Sequence, residues 1–359
     1  MNDEPNQAHS DPRSSFRVHP SSFMKGFILA AGYGTRLRPV TYTLPKPMVP
    51  LCNLPLIGWA VESFLAAGVR DLIVNLHHLP ELLQRYLQVH YGGRARFIFS
   101  VEEKILGTGG GIRRVRLHLA EDEEFFLVNG DTVQFPRWND LRDARRQHDA
   151  LAALTLRHPP AGDKFTAVYF QDGLVTGFGT GEGEALMFAG SHVISTRILD
   201  QLPDQDFSGI VEHAYMPALA GGGERLAGVV DDGLWFDIGT PQRYVSASRA
   251  LLEATVRGEI SPVDDSRVDG DSLVHKTAQG RVSRSTVGAR TVVEGDVRDS
   301  AIWEDCHVAE GVSLDGCIVA HGVTIESGAY RNALIVRDHA SIPAEHERRD
   351  GLVITPFQV

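Results

Sequence analysis

Three features that many proteins carry are missing from this chain of 359 residues. No apolar run approaches the ~20 residues that cross a bilayer, so we expect no association with membranes. The three cysteines, Cys52, Cys306 and Cys317, lack the paired spacing of zinc sites and disulfide frameworks, which indicates reduced thiols. No apolar h-region of a secretory signal occurs near the start, so we predict a cytoplasmic protein.

The charge balance is acidic, with a formal net charge of −11 at pH 7 and no basic stripe to offset it. This argues against nucleic acid as a partner. An acidic protein that binds polyanions has to concentrate positive charge locally. The length exceeds that of one average domain and predicts two.

Residues 1–23 are polar and rich in Ser, Pro, Asn and Asp. We expect them to form a disordered tail without chemistry of its own. Met24 directly precedes the first apolar run, so it is an alternative start of translation.

The segment 27–50, FILAAGYGTRLRPVTYTLPKPMVP, concentrates positive charge beside a glycine loop. The apolar run before Gly32 predicts a buried strand that ends at this loop. Gly32 and Gly34 allow backbone N–H groups to approach an anion, and Arg36 adds a guanidinium shaped for phosphate. Lys46 stands between two prolines, which fix the backbone and therefore the direction of one ammonium. The pattern predicts a polyphosphate site, although a tight turn with solvated basic residues would account for either half alone.

The joint pattern, G-x-G-T-R-L-R-P followed by P-K-P, resembles the N-terminal motif of the sugar-1-phosphate nucleotidyltransferases. It is neither G-x-x-x-x-G-K-[ST] nor the G-x-G-x-x-G of dinucleotide-binding proteins. The resemblance implies transfer of a nucleotidyl group from an NTP to a sugar 1-phosphate, with release of pyrophosphate. It implies catalytic roles for Arg36 on the leaving pyrophosphate and for Lys46 at the α-phosphate. The nucleotide-binding residues that it implies in this loop are Leu29, Ala30, Ala31, Gly32, Gly34, Thr35 and Arg36.

Two aspartates follow apolar stretches farther along the chain, Asp131 in FFLVNGD and Asp237 in WFDIGTPQRY. Asp131 ends a predicted strand, at the edge where α/β sheets bind their ligands. Two carboxylates at one site are the hard oxygen ligands that Mg²⁺ takes beside substrate phosphates. Each aspartate alone is equally well interpreted as a turn or cap residue. Because both contexts resemble metal-binding motifs of the family, we predict that Asp131 and Asp237 hold Mg²⁺.

A glycine-rich segment, LGTGGGIRR, lies shortly after Glu102. Its glycines allow the backbone to lie flat against a base or sugar, and a carboxylate can accept the N–H donors of a base edge. The alternative is a glycine-rich helix start with a capping acid. The segment resembles the E-x-x-L-G-T-(A/G)-G element with which guanylyltransferases surround the base, which implies nucleotide contacts by Glu102, Gly107 and Thr108. Glu103 also fits this spacing, and the three glycines resemble the N-acetylmuramate-1-phosphate uridylyltransferases as well.

One departure from the family concerns the sugar phosphate. Family members usually hold it with a second lysine in E-K-P, but the corresponding stretch, GLVTGFGTGEGEALMFAGSHVIS, contains none. Gly190 in this stretch and Lys164 upstream are the candidate sugar-phosphate residues, and a surface charge is the alternative for Lys164. The muramate-type enzymes share the lack of this lysine. His192 in the same stretch shows no metal spacing and is expected only to line a loop or cap a helix.

Alternating apolar strands and amphipathic helices predict an α/β fold. Residues 24–253 resemble the Rossmann-like catalytic domain of the family, with a mixed central sheet, and residues 254–265 are a predicted linker. Residues 266–340 repeat short apolar residues with Gly, Ser and Asp, and resemble the short left-handed parallel β-helix tails of several bacterial nucleotidyltransferases. Residues 341–359 are expected to form a C-terminal extension.

The repeat aligns Val287, Ile302, Ile318 and Leu334 at intervals of 15, 16 and 16 residues. A left-handed coil of three hexapeptides would take about 18 residues, so the register is imperfect. Because an open solenoid end attracts partners, we predict a homo-oligomer assembled through this tail.

The resemblance specifies the reaction better than the substrate. The Glu102 element and the tail favour GTP with mannose 1-phosphate or a related sugar, giving GDP-mannose or a related GDP-sugar. UTP with N-acetylmuramate 1-phosphate or glucose 1-phosphate is the alternative. A non-catalytic subunit that senses an NDP-sugar is a third hypothesis, which the presence of Lys46, Asp131 and Asp237 disfavours.

Overall fold

The computed structural model describes residues 24–160, 162 and 164–358. The predicted disordered tail, residues 1–23, lies outside the described residues. Among the helices of the described ranges, none is long and apolar enough to cross a membrane.

The chain up to residue 256 alternates strands and helices. The helices are α1 (Leu56–Ala66), α2 (Pro80–Tyr91), α3 (Gly107–Arg114), α4 (Arg116–Leu119), α5 (Trp138–Gln147), α6 (Met216–Ala220) and α7 (Pro241–Val256). The 3₁₀ helices are Thr35–Leu37, Val40–Tyr42, Lys46–Met48 and Thr196–Asp200, and a π-helical turn spans Val211–Tyr215. The strands are β1 (Lys25–Leu29), β2 (Pro50–Leu51), β3 (Leu54–Pro55), β4 (Asp71–Leu76), β5 (Arg96–Val101), β6 (Glu124–Asn129), β7 (Thr132–Gln134), β8 (Ala152–Arg157), β9 (Val168–Gln171), β10 (Leu174–Phe178), β11 (Glu184–Ser195), β12 (Leu226–Val230) and β13 (Trp235–Asp237).

Nine of these strands form one mixed sheet in the order β5-β4-β1-β6-β11-β8-β12-β10-β9. β5, β4, β1 and β6 run parallel, whereas β11 is antiparallel to both β6 and β8. The central strands are continuous apolar runs because both of their faces are covered, and Phe27, Ile28 and Leu127 are fully buried. The predicted α/β fold with a mixed central sheet is confirmed.

The parallel strands bring their carboxyl ends to one edge of the sheet. β1 and β6 are neighbours in register, with Leu29 opposite Asn129. The loop of residues 30–38, which we call the phosphate loop, leaves β1 at this edge, Asp131 follows β6, and Glu102 follows β5. The strand order reverses between β1 and β6, which is where α/β sheets open a crevice for ligands.

Beyond residue 265 the chain forms short strands that stack in coils. They are β14 (Ser266–Asp269), β15 (Ser272–His275), β16 (Thr286–Val287), β17 (Val292–Val293), β18 (Asp296–Arg298), β19 (Ala301–Ile302), β20 (His307–Val308), β21 (Ser313–Asp315), β22 (Ile318–Val319), β23 (Thr324–Ile325), β24 (Ala329–Arg331), β25 (Ala333–Arg337), β26 (Arg348–Arg349) and β27 (Leu352–Pro356). Successive coils pair in parallel along three ladders, β16-β19-β22-β25, β17-β20-β23 and β18-β21-β24. Three parallel ladders around one apolar core are consistent with a β-helix.

The predicted register of the repeat is wrong by one residue from the third coil onward. Ile302 pairs with Val319 instead of Ile318, so the spacings are 15, 17 and 16 residues. The turn between Val308 and Leu314 is two residues longer than the turn between Val293 and Val297, on which it stacks. A turn of variable length moves the register without changing the apolar pattern of the strands, which is why the sequence alignment did not detect it.

The tail packs directly against the first unit. α7 continues to Val256, past the predicted domain end at residue 253. The C-terminal extension, residues 341–359, contains β27, which pairs antiparallel with β25 of the tail. Trp303 Nε1 in the tail donates to Tyr244 Oη on α7 (2.9 Å), and Tyr244 Oη donates to the carbonyl of Pro50 (2.5 Å). One hydrogen-bonded chain therefore joins the tail, α7 and the segment that follows Lys46.

Replacing Trp303 with alanine is expected to lower the free energy of unfolding by about 3–5 kcal/mol, the usual cost of removing a buried tryptophan. The side chain is 5% exposed and packs in the core between the two units. Denaturant unfolding of the full chain measures the change. Leu117→Ala is the matched control, because Leu117 is 81% exposed and should change stability by no more than about 0.5 kcal/mol. Equal stability of the two variants would contradict the packing described above.

Candidate active site

The phosphate loop turns at Gly34, whose backbone is left-handed with φ of 63°. A Cβ at this position would lie 2.7 Å from the Cβ of Lys46, so glycine is required for the close packing of these two segments. Thr41 Oγ1 donates to the carbonyl of Gly34 (2.9 Å) and closes the turn. At Gly32 no heavy atom lies within 4 Å of the position a Cβ would take, which leaves space for a ligand beside the backbone.

Lys46 lies between the two predicted metal-binding aspartates. Its Nζ is 2.7 Å from Asp131 Oδ2 and 3.9 Å from Asp237 Oδ1, and the residue is only 6% exposed. The two aspartates meet because β7 pairs antiparallel with β13, which places Thr132 opposite Asp237. One ammonium and two carboxylates thus form a compact cluster at the carboxyl edge of the sheet.

Two arginines approach this cluster from different sides. Arg243, in the first turn of α7, donates from Nη1 to Asp237 Oδ2 (3.0 Å), and Thr240 Oγ1 caps the helix by accepting from the Arg243 N–H (3.3 Å). Arg36 is exposed and lies against Gly239, where a Cβ would stand 2.8 Å from its Nη1. The glycine of D-I-G-T therefore makes room for the guanidinium of the phosphate loop.

Two cavities adjoin at the cluster and share Leu29, Thr108, Asn129 and Asp131 in their walls. The loop cavity, bounded by the phosphate loop, has a volume of about 490 Å³, and the β11 cavity, bounded by β11 and β13, has about 430 Å³. Both volumes lie in the range of small-molecule sites. The predicted residues that line the loop cavity are Leu29, Ala30, Ala31, Gly32, Gly34, Thr35, Arg36, Lys46, Glu102, Gly107, Thr108 and Asp131.

Glu102 lies in the wall of the loop cavity and is 2% exposed. Its Oε1 accepts from Asn75 Nδ2 (2.8 Å), and its Oε2 accepts from the N–H of Leu106 (2.9 Å) at the start of α3. Asn75 Oδ1 in turn accepts from the N–H of Ala30 (2.7 Å). The carboxylate thus caps α3 and ties it to the phosphate loop, and its contact with a base stays a prediction.

In the glycine-rich segment LGTGGGIRR, only the first residues line the loop cavity. Gly107 lines the loop cavity, whereas a Cβ at Gly109 would stand 2.7 Å from Ser208 Oγ, and one at Gly111 3.3 Å from Glu102 Oε1. The N–H of Gly109 donates to the carbonyl of Ser208 (2.8 Å). The later glycines therefore let α3 lie close to its protein neighbours.

Gly190 occupies an irregularity of β11 between Phe188 and His192 and has φ of 91°. A Cβ there would lie 2.6 Å from Asn129 Nδ2, so glycine is required beside this amide. Gly190 lines the β11 cavity, and its contact with a sugar phosphate stays a prediction. Lys164 lines neither cavity, because its side chain extends into solvent.

Several residues of the two cavities were not singled out from the sequence. Asn75 in DLIVNL and Asn129 in FFLVNGD are polar residues near the carboxyl ends of apolar strands, a signal that could have identified them. Trp235 lines the β11 cavity and donates from Nε1 to the carbonyl of Ala189 (2.9 Å), and no local pattern marks it. His192, expected only to line a loop or cap a helix, is instead buried on β11 and forms part of the cavity wall.

The donor set of the cluster fits a divalent cation. Asp131 and Asp237 both line the β11 cavity, and both direct an oxygen toward the ammonium of Lys46, so positive charge already lies between them. Their side chains are 39% and 22% exposed, which leaves lone pairs accessible to an ion that also binds phosphate oxygens. Two carboxylates with room for phosphates are a donor set that suits Mg²⁺.

Burial lowers the pKa of His192 to about 3, below the value of about 6.5 in an unfolded chain. Between these values the unfolded state binds the extra proton, so stability is lost as pH falls through 6.5. We expect His192 to make the protein about 2 kcal/mol less stable at pH 5 than at pH 7.5. Urea unfolding at pH 5 and pH 7.5 measures the free energy of unfolding, and His192→Gln should reduce its difference between the two pH values by about 2 kcal/mol. An identical pH dependence in the variant would contradict the prediction.

Comparison with known proteins identifies the family. The Nucleotidyl transferase family profile matches residues 25–179. The mannose-1-phosphate guanyltransferase of Yarrowia lipolytica is 30% identical over 269 residues, which cover 71% of this chain and 73% of that protein. The chain belongs to the sugar-1-phosphate nucleotidyltransferase family.

The similarity of this sugar-1-phosphate nucleotidyltransferase to its relatives extends into the tail. Mannose-1-phosphate guanylyltransferase 1 of Arabidopsis thaliana is 27% identical over 334 residues, covering 89% of this chain and 87% of that protein. The crystal structure of HddC from Yersinia pseudotuberculosis has a TM-score of 0.53 at 22% identity, covering 64% of this chain and 99% of that chain, and shows the shared fold. The protein is an enzyme that transfers a nucleotidyl group to a sugar phosphate.

Proposed function

We propose that the enzyme transfers GMP from GTP to mannose 1-phosphate in a Mg²⁺-dependent reaction, giving GDP-mannose and pyrophosphate. Relatives that match most of the chain are named mannose-1-phosphate guanylyltransferases, which supports this choice of substrates. The observation that carries the proposal is the pair of adjoining cavities, which share Asp131 beside the ammonium of Lys46. Two substrates bound in them would meet beside this cluster, at the wall that both cavities share.

In this proposal GTP occupies the loop cavity. The exposed backbone at Gly32 and the turn at Gly34 approach its phosphates, and Arg36 holds the part that leaves as pyrophosphate. Lys46 lies at the junction and stabilises the charge that develops around the α-phosphate. When bound by Asp131 and Asp237, Mg²⁺ would neutralise and orient phosphate oxygens of both substrates.

The sugar 1-phosphate occupies the β11 cavity, with its phosphate directed to the junction. Its phosphate oxygen attacks the α-phosphorus of GTP in line, the new P–O bond forms, and the bond to pyrophosphate breaks. No general base is required, because a phosphate monoester is already anionic at neutral pH. Catalysis therefore rests on positioning and on charge neutralisation.

No Lys or Arg is found among the described residues that line the β11 cavity. Charge on the sugar phosphate is accordingly offset from the junction, where Lys46 contacts Asp131 and Arg243 contacts Asp237, and both aspartates line this cavity. Gly190 also lines this cavity, beside Asn129 of the wall that both cavities share. Lys164 is exposed and lines neither cavity.

A uridylyltransferase is the second candidate. Both oxygens of Glu102 already accept hydrogen bonds within the protein, so a base that needs no acidic partner, such as uracil, is compatible with the loop cavity. The lack of a lysine in the β11 cavity wall, among the described residues, agrees with the same candidate.

Pyrophosphate release with Mg²⁺, measured for four ribonucleotides and dTTP against a panel of sugar 1-phosphates, distinguishes these functions. Activity confined to GTP and mannose 1-phosphate is expected. Activity only with UTP would support the second candidate. Binding of NDP-sugars without any turnover would make the protein a sensor and contradict both.

We also propose that the tail assembles a homo-oligomer. β23 and β24 end their ladders without a further strand among the described residues, and such edges favour pairing with another chain. Sedimentation equilibrium of the full chain should give a mass above 39.3 kDa. A monomer over the whole micromolar range would contradict the proposal.

A further inference from the structure

A histidine that the proposed mechanism leaves unused lies in the wall of the β11 cavity. His192 is 1% exposed and stands on β11 next to the irregularity at Gly190, between Leu127 and Leu154 of the neighbouring strands. Behind it, Tyr215 of the π-helical turn is fully buried, and its Oη lies 2.8 Å from His192 Nδ1. π-helical turns are rare and frequently occur at functional sites.

The hydrogen bond between these two residues determines the tautomer of the histidine. A buried tyrosine hydroxyl has to donate its proton, and His192 Nδ1 is its one hydrogen-bond partner in the described part of the chain. Nδ1 is therefore the acceptor, and the ring proton is on Nε2. Within the residues that the structure covers, Nε2 has no partner, although the side chain is almost completely buried and lines the cavity.

The surroundings of His192 keep its ring uncharged. Burial lowers its pKa to about 3, and the edge of the ring packs against Phe188 with centroids 4.9 Å apart. A neutral N–H forms a good hydrogen bond with an uncharged oxygen and offers no net charge to a phosphate.

We propose that His192 is a specificity-determining residue whose Nε2–H donates to an uncharged oxygen of the sugar, a hydroxyl or an acyl carbonyl, and that Tyr215 positions it. This inference rests on the proposed function, because it requires the sugar part of the acceptor to occupy the β11 cavity. Phosphate binding and transfer remain with the cluster at the junction.

Steady-state kinetics of three variants test the assignment. His192→Leu removes the donor and should raise the KM for the sugar 1-phosphate about tenfold, the usual scale for one neutral hydrogen bond, with the KM for the nucleotide unchanged. His192→Gln retains an N–H close to the same position and should restore most of the loss. Tyr215→Phe removes the hydrogen bond that fixes the tautomer of His192, and it should raise the KM for the sugar 1-phosphate less than His192→Leu does. His118→Leu, an exposed histidine on α4, is the control for general effects of the substitution.

Deoxy and deacylated sugar 1-phosphates separate recognition from a structural role. For the wild type, removing the contacted oxygen should raise KM about tenfold, whereas in His192→Leu the same removal should have no further effect. If removal of a sugar oxygen and His192→Leu raised KM independently for every oxygen tested, the assignment would be overturned. An equal rise in the KM for the sugar 1-phosphate and the KM for the nucleotide in His192→Leu would also overturn it. A wild type without turnover on any sugar 1-phosphate would instead refute the proposed function, and the inference with it.

Discussion

Replacing Lys46 with alanine is expected to lower kcat about 10²–10³-fold, the scale for losing one preorganised electrostatic group. The ammonium is held within a cluster that borders both cavities, so its charge acts where the nucleotide and sugar phosphates would meet. Because the charge develops in the transition state, the loss should appear in kcat more than in either KM. Steady-state pyrophosphate release measures the effect.

Lys46 is buried between two carboxylates, so its removal can also affect folding. Lys46→Met, which retains the length of the side chain without its charge, should show the same loss of kcat. Thermal melting and nucleotide binding of both variants report whether the fold persists. Lys276→Ala, which removes an exposed lysine paired with Asp265 in the tail, is the matched control. Turnover equal to that of the wild type in a folded Lys46→Met protein would contradict the catalytic assignment.

Asp237→Asn is expected to reduce activity on the order of 10²–10³-fold at a fixed Mg²⁺ concentration and to raise the concentration of Mg²⁺ needed for half-maximal rate. The amide oxygen can still accept the hydrogen bond from Arg243, so the local structure should be retained while the charge is lost. A titration of activity with Mg²⁺ measures both effects.

Asp131→Asn should behave in the same way, because Asp131 lies on the other side of the same ammonium. Asp265→Asn removes an exposed carboxylate directly before the tail and controls for the change in net charge. Unaltered Mg²⁺ dependence in both active-site variants would show that the two aspartates do not hold the ion.

Local sequence patterns predicted those features of the candidate site that depend on residues adjacent in sequence. The strand-to-loop transition at Gly32, the lysine between prolines and the aspartate after FFLVN each follow from apolar runs and turn residues. The register of β1 with β6 then brings Leu29 beside Asn129, as expected for adjacent parallel strands. The prediction of two aspartates near one another is consistent with the pairing of β7 with β13.

Features that depend on contacts distant in sequence were not predictable in this way. The position of His192 in the cavity wall depends on an irregularity in β11 and on Tyr215, which comes from a separate helical turn. The Asn75 amide that donates to Glu102 comes from β4, and only the folded chain brings these two residues together. Lys164 was chosen for its charge, but it is exposed and lines neither cavity. Turn lengths in the tail shift the register without altering the apolar periodicity.

In the proposed reaction, transfer occurs between two phosphates at the junction of the loop cavity and the β11 cavity. ³¹P NMR of the full chain with GTP, mannose 1-phosphate and Mg²⁺ tests it directly. We predict equimolar GDP-mannose and pyrophosphate, and no consumption of GTP when the sugar phosphate is omitted. Formation of GDP and inorganic phosphate, or pyrophosphate release without a sugar phosphate, would rule out this reaction.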